Sequence, residues 1–112
     1  MSESRLKAKL WVQAAIRTCQ SQGIAAVLAR RGDEDAGAVL IKQNLMGGGF
    51  LVLTQIRSGD GRLAWMKGTG PEPVDEEAAE SYIARQVARD GDLWVIEIED
   101  RAGRLPFAAE MI

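Results

Sequence analysis

The run Leu-Trp-Val-Ile-Glu-Ile that ends at Ile98 constrains the fold more than any other stretch of the chain. It is almost wholly apolar and rich in β-branched and aromatic side chains, and a glycine turn precedes it while a polar segment follows it. Such a run is typical of a central β-strand. Because side chains alternate along a strand, Trp94, Ile96 and Ile98 share one face, whereas the other face ends in Glu97 and Glu99. The strand therefore has one dry face and one face that becomes polar.

The rest of the chain contains two helical patterns and four further short runs. Apolar residues at three-to-four spacing predict helices at about residues 10–22 and 75–89, the second with Asp75 as its N-cap. Turn residues separate four predicted strands, at residues 25–30, 38–43, 50–57 and 62–67. Breaks this short favour antiparallel neighbours, and hence a four-stranded meander. The prediction is an α+β fold of order α-β-β-β-β-α-β, with a mostly antiparallel sheet of about five strands and two helices on one face.

Composition bounds the size and the class of the protein. A chain of 112 residues fits one domain, which we expect to span residues 1–112 with a frayed tail at 1–5 and a C-terminal tail at 105–112. With 14 basic and 16 acidic residues the net charge is -2, so no basic face predicts nucleic-acid binding. No apolar run approaches the ~18 residues of a membrane span. Cys19 is the only cysteine, which favours a reducing compartment, and we expect the cytoplasm.

Several kinds of catalytic and cofactor site are excluded by residue type and spacing. The chain has no histidine, so Ser-His-Asp and Cys-His catalysis and histidine-containing zinc sites cannot form. The glycine-rich turns match neither the dinucleotide fingerprint nor the P-loop. The acidic turn residues do not have the spacing of a calcium-binding loop. We therefore expect neither a cofactor nor a bound metal.

Charged residues at the ends of predicted strands are the candidate binding residues. These are Arg31, Asp33, Glu97, Glu99 and Arg101. Glu97 alternates with apolar neighbours, and a carboxylate in such a place needs a partner, for which Arg30, Arg31 and Arg101 are the candidates. An ion pair is favoured over a catalytic group. If the strand ends converge, Glu97 or Glu99 meets Asp33 or Asp60 across the sheet.

Three segments carry a resemblance to a known family. The most specific is Tyr-Ile-Ala-Arg-Gln at 82–86 followed by Asp-Leu-Trp-Val-Ile-Glu-Ile-Glu-Asp-Arg at 92–101, and the others are Leu-Trp-Val at 10–12 and the hairpin at 30–40. In these segments the chain resembles a small bacterial family, domain of unknown function family 1491. Gly91 departs from it, since a proline is expected there. The resemblance covers nearly the whole chain, supports its domain boundaries and implies no activity.

Two functions of different classes stay open. The first is a non-enzymatic binding or interaction module that acts as a homodimer or with another protein. If both helices cover one face of the sheet, apolar side chains on the other face need cover, namely Leu51, Leu53, Leu63 and Trp65. The second is a small enzyme that uses carboxylates and arginine, with a divalent ion such as magnesium. The sequence favours the interaction module without deciding whether the protein is an enzyme.

Overall fold

The computed structural model describes residues 7–57, 59, 62–107 and 111–112, so the expected frayed tail at 1–5 lies outside the described residues. The elements are α1 (Ala8–Ser21), β1 (Ala25–Arg30), β2 (Val39–Asn44), β3 (Phe50–Arg57), β4 (Leu63–Lys67), α2 (Glu76–Arg89) and β5 (Trp94–Glu99). The predicted α+β class and the order α-β-β-β-β-α-β are confirmed. Of the helices in the described residues, neither combines the length and the apolar character that a bilayer crossing requires.

The five strands form one sheet of order β1-β5-β2-β3-β4. β5 pairs antiparallel with β1 and parallel with β2, and every other pair is antiparallel. The predicted four-stranded meander is therefore wrong, because only β2, β3 and β4 follow one another and β5 separates β1 from β2. The physical reason is the apolar character of β5, in which Trp94, Val95, Ile96 and Ile98 are buried. Such a strand is best covered at the centre of a sheet.

The two helices lie on opposite faces of the sheet, so the expectation that both cover one face is wrong. On the face we call the α1 face, Val12, Ala15 and Cys19 pack in one apolar cluster with Trp94 and Ile96. On the α2 face, a second cluster contains Leu40, Val52, Val95, Ala79 and Ile83. Consecutive residues of β2 are apolar, which gives the sheet two faces to cover, and one helix can cover only one of them.

The α1 face contains the side chains that were expected to need a partner chain. Leu53 and Trp65 are each 1% exposed, and Leu51 and Leu63 are half-buried. The Trp65 ring lies 5.6 Å from the ring of Trp11 in α1. The C-terminal segment contributes Leu105 and Phe107 to the same cluster. The expected uncovered face is thus absent from the described structure, because α1 and this segment of the same chain cover it.

The helix starts are fixed in different ways. Asp75 is the N-cap of α2 as predicted, and its Oδ1 accepts a hydrogen bond from the Ala78 N–H at 2.8 Å. α1 has no side-chain cap. Instead its Ala8 and Lys9 N–H groups donate to the backbone carbonyls of Asp35 and Glu34, at 3.3 and 3.0 Å. Because the loop between β1 and β2 supplies these acceptors, α1 begins two residues before the predicted start.

Candidate functional site

The predicted binding residues lie in two groups at opposite ends of β5. Arg31 and Asp33 are at its start, where the Asp33 N–H donates to the Asp92 carbonyl at 3.0 Å. Glu97, Glu99 and Arg101 are at its other end, where Glu99 pairs with Ala25 of β1 and Asn44 of β2. The structure therefore does not bring all five side chains into one site. Asp60, the other acidic candidate, lies outside the described residues.

The first group holds the β1–β2 loop against β5. The Trp94 side chain is buried, and its Nε1 donates to the Asp33 carbonyl at 2.7 Å. The Asp33 carboxylate accepts hydrogen bonds from the N–H groups of Asp35 and Ala36, at 3.0 and 2.9 Å. Arg31 pairs with Glu34 at 2.9 Å, and its guanidinium lies 5.6 Å from the Trp94 ring centroid. These contacts give Arg31 and Asp33 structural roles.

Two glycines allow this loop to approach β5 closely. A Cβ placed on Gly32 or on Gly37 would lie 2.2 Å from the Asp92 carbonyl oxygen and within 3 Å of the Trp94 ring. Only a residue without a side chain fits at such a distance. The loop can therefore reach both the Trp94 indole and the start of α1.

In the second group, each charged side chain has a different setting. Glu99 is exposed at the end of β5. Arg101 donates through its Nη1 to the Met46 carbonyl at 3.0 Å, which joins two neighbouring turns. Glu97 has neither Arg31 nor Arg101 as its partner; its Oε1 lies 3.7 Å from the Lys42 ammonium, and its Oε2 accepts from Asn44 at 3.3 Å. The expected ion pair of Glu97 thus forms with a lysine of the neighbouring strand.

Lys42 is the charged residue that sequence reasoning missed. Its side chain is 4% exposed on the α2 face, although it carries a full charge. Its Nζ contacts Glu76 Oε2 at 2.9 Å and Glu80 Oε2 at 2.5 Å, both on the first turns of α2. The available signal was the lysine in an apolar strand together with two glutamates four residues apart on one helix. Nothing in the sequence indicated that these elements meet.

The pKa of Lys42 shows that the surrounding carboxylates stabilise its protonated ammonium group. Burial alone lowers the pKa, but the hydrogen bonds to Glu80 and Glu76 and the charge of Glu97 outweigh burial and hold the pKa above its ordinary value. A lysine that stays protonated has no lone pair and cannot act as a base or a nucleophile. The described residues contain no group of three or more acidic or cysteine side chains placed to hold a metal ion. The arrangement therefore joins α2 to β2 and β5.

The two edges of the sheet differ in how the chain covers them. Along the outer edge of β4, Met111 forms a parallel bridge with Trp65, and the Ile112 N–H donates to the Trp65 carbonyl at 2.9 Å. Along the outer edge of β1, no strand among the described residues pairs with it. Val27 and Leu28 in this strand are 59% and 44% exposed. The surface formed by Ala25–Arg30 is therefore an open and largely apolar edge, which we call the β1 edge.

Comparisons with known proteins identify the family. Residues 6–108 match the model of a family described as a protein of unknown function (DUF1491). A crystal structure of a DUF1491 family protein from Caulobacter crescentus CB15 is similar with 35% identity and a TM-score of 0.84, over 96% of this chain and 100% of that chain. An NMR structure of a DUF1491 family protein from the same organism has 34% identity and a TM-score of 0.84, over 98% of this chain and 99% of that one.

A more distant relative has the same fold. A solution structure of a protein from A. tumefaciens is 25% identical, with a TM-score of 0.74 over 96% of this chain and 98% of that chain. The comparison with curated proteins gave no match. The resemblance inferred from the segments around Trp11 and Trp94 is confirmed by the match of the family model and by the two Caulobacter structures. The chain therefore belongs to the DUF1491 family, whose function is unknown.

Proposed function

We propose that this protein is a non-enzymatic interaction module that acts as a homodimer joined through the β1 edge. The observation that carries the proposal is the difference between the two edges, since the chain's own C-terminal residues pair with β4 at Trp65 and no described strand pairs with the outer edge of β1. An edge strand without a neighbour presents a row of backbone donors and acceptors that can bind another strand. The proposed partner is a second copy of this chain.

The composition of the β1 edge supports pairing. Soluble proteins commonly protect such edges with charged residues or proline, but Ala25, Ala26, Val27, Leu28 and Ala29 carry neither. Arg30 is the one charged residue of β1, and its side chain binds backbone carbonyls of its own chain. Arg30 donates through its Nη1 to the carbonyls of Gly91 and Leu93, at 3.0 and 2.7 Å. The Arg30 guanidinium is therefore not placed to prevent another strand from pairing with this edge.

Geometry favours a second copy as the occupant. Two identical strands that pair antiparallel are related by a two-fold axis, so one uncharged segment provides both halves of a closed interface. Val27 and Leu28 point to opposite faces of the sheet, and both would be covered. Burial of their exposed parts in two copies contributes about 4 to 5 kcal/mol. Because association costs roughly 4 to 15 kcal/mol, we expect a reversible dimer whose population depends on concentration.

The alternative of a carboxylate and arginine enzyme has no comparable support. Arg31 and Asp33 lie at the other end of β5 from Glu97 and Glu99, so the residues that would have formed its site are apart. The buried cation Lys42 is saturated by carboxylates. The cytoplasm is the proposed location, and the single, buried Cys19 fits a reducing compartment.

The test is the solution mass of the wild type and two variants by light scattering across a range of concentrations. We expect the wild type to reach twice the chain mass at tens of micromolar, and Val27→Lys to remain a monomer because it places a charge at the two-fold axis. The matched control is Met66→Lys, which changes a 42% exposed residue on the covered edge strand and is expected to dimerise normally.

Hydrogen exchange gives a second readout that does not depend on a substitution. Backbone amides of β1 are expected to exchange more slowly as the concentration of wild-type protein rises, while exposed amides elsewhere do not change. A wild type that stays monomeric at tens of micromolar, or a Val27→Lys variant that dimerises as the wild type does, would rule out the β1 edge as the interface.

A further inference from the structure

The hydrogen bonds of β5 indicate which backbone groups of β1 point to the outer edge. At the start of β5 the Trp94 N–H donates to the Ala38 carbonyl at 2.9 Å, and after its end the Asp100 N–H donates to the Asn44 carbonyl at 3.0 Å. Both acceptors lie on the β2 side of β5. Because the backbone groups of successive residues in a strand point to alternate sides, Glu97 directs its N–H and C=O groups towards β1.

Ala26 and Leu28 have their backbone groups on the outer side of β1. Val27 is paired with Glu97, so its N–H and C=O groups bind β5. Ala26 and Leu28 are its neighbours in the strand, and their groups therefore point away from β5. A contact from α1 agrees with this assignment, since Gln20 Nε2 donates to the Ala26 carbonyl at 3.4 Å. The β1 edge thus offers two residues for pairing with another strand.

Gln20 occupies part of the β1 edge within the single chain. Its donor–acceptor distance of 3.4 Å is longer than the ~2.9 Å of a usual N–H···O bond, and the residue is exposed. The contact is therefore weak, and a backbone N–H of a second strand can replace it at the Ala26 carbonyl. Gln20 competes with the second strand in that exchange.

One register of two antiparallel β1 strands uses all of the outward groups. With the two-fold axis at Val27, Ala26 of each copy lies opposite Leu28 of the other copy. Both residues face the other strand, so the two pairs can form four backbone hydrogen bonds. In this register the Ala26 carbonyl accepts from the Leu28 N–H of the other copy instead of from Gln20.

The two neighbouring registers pair residues whose backbone groups are already used. An axis at Ala26 would place Leu28 opposite Ile24, whose N–H donates to a carbonyl of the last turn of α1 at 2.9 Å. An axis at Leu28 would place Ala26 opposite Arg30, which follows a bulge and is paired with β5. The available backbone groups therefore favour the first register.

Side-chain size on the α1 face agrees with an axis at Val27. Ala26 and Leu28 both point to this face, where Ala26 is buried in the apolar cluster and Leu28 is 44% exposed. The register places each exposed leucine opposite a small alanine, so the leucine gains apolar cover without a clash between two large side chains. On the α2 face the two copies of Val27 lie next to each other and cover one another.

We infer that the homodimer has its two-fold axis at Val27 and that Gln20 limits its affinity by competing for the Ala26 carbonyl. The inference rests on the proposed homodimer and deepens it, because it names the residues that pair and the side chain that opposes pairing. Dimer formation transfers the Ala26 carbonyl from Gln20 to the Leu28 N–H of the other copy.

Sedimentation equilibrium of the full-length protein tests the role of Gln20. Gln20→Ala is expected to lower the dissociation constant of the dimer about fivefold, because neither copy then gives up a hydrogen bond when it pairs. Gln13→Ala is the matched control, since it makes the same change at an exposed position of the same helix, and it should dimerise as the wild type does. Thermal melting confirms that both variants are folded.

Disulfide formation under mild oxidation tests the register. Two strands paired about Val27 hold its two copies about 4.5 Å apart at Cα, within the reach of a disulfide, so Val27→Cys should form a covalent dimer. Leu28→Cys is the control, because its two copies are offset by two residues along the strands and lie beyond that reach. Cys19 is fully buried and does not compete.

The outcomes separate this inference from the proposed homodimer. If the wild type dimerises but Gln20→Ala has the same dissociation constant, or if Leu28→Cys links more readily than Val27→Cys, the inference is overturned and the homodimer stands. If the wild type and Gln20→Ala both stay monomeric at tens of micromolar, the homodimer itself is refuted and the inference with it.

Discussion

Replacement of Lys42 by methionine is the most informative perturbation of this structure. The substitution keeps an unbranched apolar stem of similar length in the α2 face and removes only the ammonium group. That group contacts Glu76, Glu80 and Glu97 at 2.9, 2.5 and 3.7 Å. After its removal, three carboxylates remain close together around a site that no longer holds a cation. We therefore expect α2 to be held less firmly against β2 and β5.

The size of the effect follows from the exposure of the partners. A hydrogen bond to a charged group contributes about 1.5 to 3 kcal/mol when it is buried. The side chains of Glu76 and Glu80 are 61% and 56% exposed, so solvent screens them and their contributions are reduced. Glu97 is 21% exposed and keeps its contact with Asn44. Together these contacts give an expected loss of about 2 to 3 kcal/mol in the free energy of unfolding, or a Tm lower by about 10 °C.

The assay is urea unfolding at neutral pH, followed by tryptophan fluorescence. Lys67→Met is the matched control, because Lys67 is exposed in β4, and its free energy of unfolding should change by less than about 0.5 kcal/mol. Adding Glu80→Gln should cost stability in the wild type but not in the Lys42→Met variant, which assigns the loss to the ion pair. A Lys42→Met variant as stable as the wild type would refute the reasoning.

The structure also predicts how the contribution of Lys42 to the free energy of unfolding depends on pH. The folded pKa of Lys42 lies above its ordinary value of 10.5, so its contribution is complete below that pH. The contribution is lost as the pH rises from there through the folded pKa. At neutral pH the difference between the wild type and Lys42→Met should therefore not change with small changes of pH.

Two further predictions concern the helix cap and the turn after β5. Asp75→Ala should lower the free energy of unfolding by about 1 kcal/mol, because the Ala78 N–H loses its acceptor, and an unchanged urea midpoint would contradict the cap. The Arg104 side chain, and then its backbone N–H, lower the pKa of Asp100 from 3.8 to about 2, so the stabilisation is present above pH 3.8 and is lost as the pH falls towards 2. Arg104→Gln should raise this pKa in an NMR titration of the Asp100 carboxyl carbon, and an unchanged value would show that Arg104 is not the cause.

Local patterns in the chain were sufficient for most of the elements. The strands Ala25–Arg30 and Phe50–Arg57 have their predicted bounds, because turn residues flank each run and mark both ends. α2 starts after Asp75, as the acidic first turn and the N-cap indicated. Each of these features depends on residues close together in sequence, which is why periodicity and capping predict them.

The candidate site was harder to predict from the sequence than the secondary structure. Glu97 was correctly singled out as a carboxylate that needs a partner, but the partner expected was an arginine. Lys42 contacts residues of α2 and β5 that are at least 34 positions away from it in the sequence. Likewise, the contact of Gln20 with the Ala26 carbonyl exists only because the end of α1 lies beside β1. Neither arrangement has a signature in any single segment.

The sequence by itself determined the α+β class, the element order and the dry face of β5, since hydrophobic alternation and turn residues act locally. Only the tertiary structure decided that β5 lies between β1 and β2, that the helices cover opposite faces, and that one edge of the sheet is left open. The reason is that a central strand, a second covered face and a closed edge depend on contacts between distant segments. Those contacts bury apolar side chains that come from distant parts of the sequence, which no local pattern encodes.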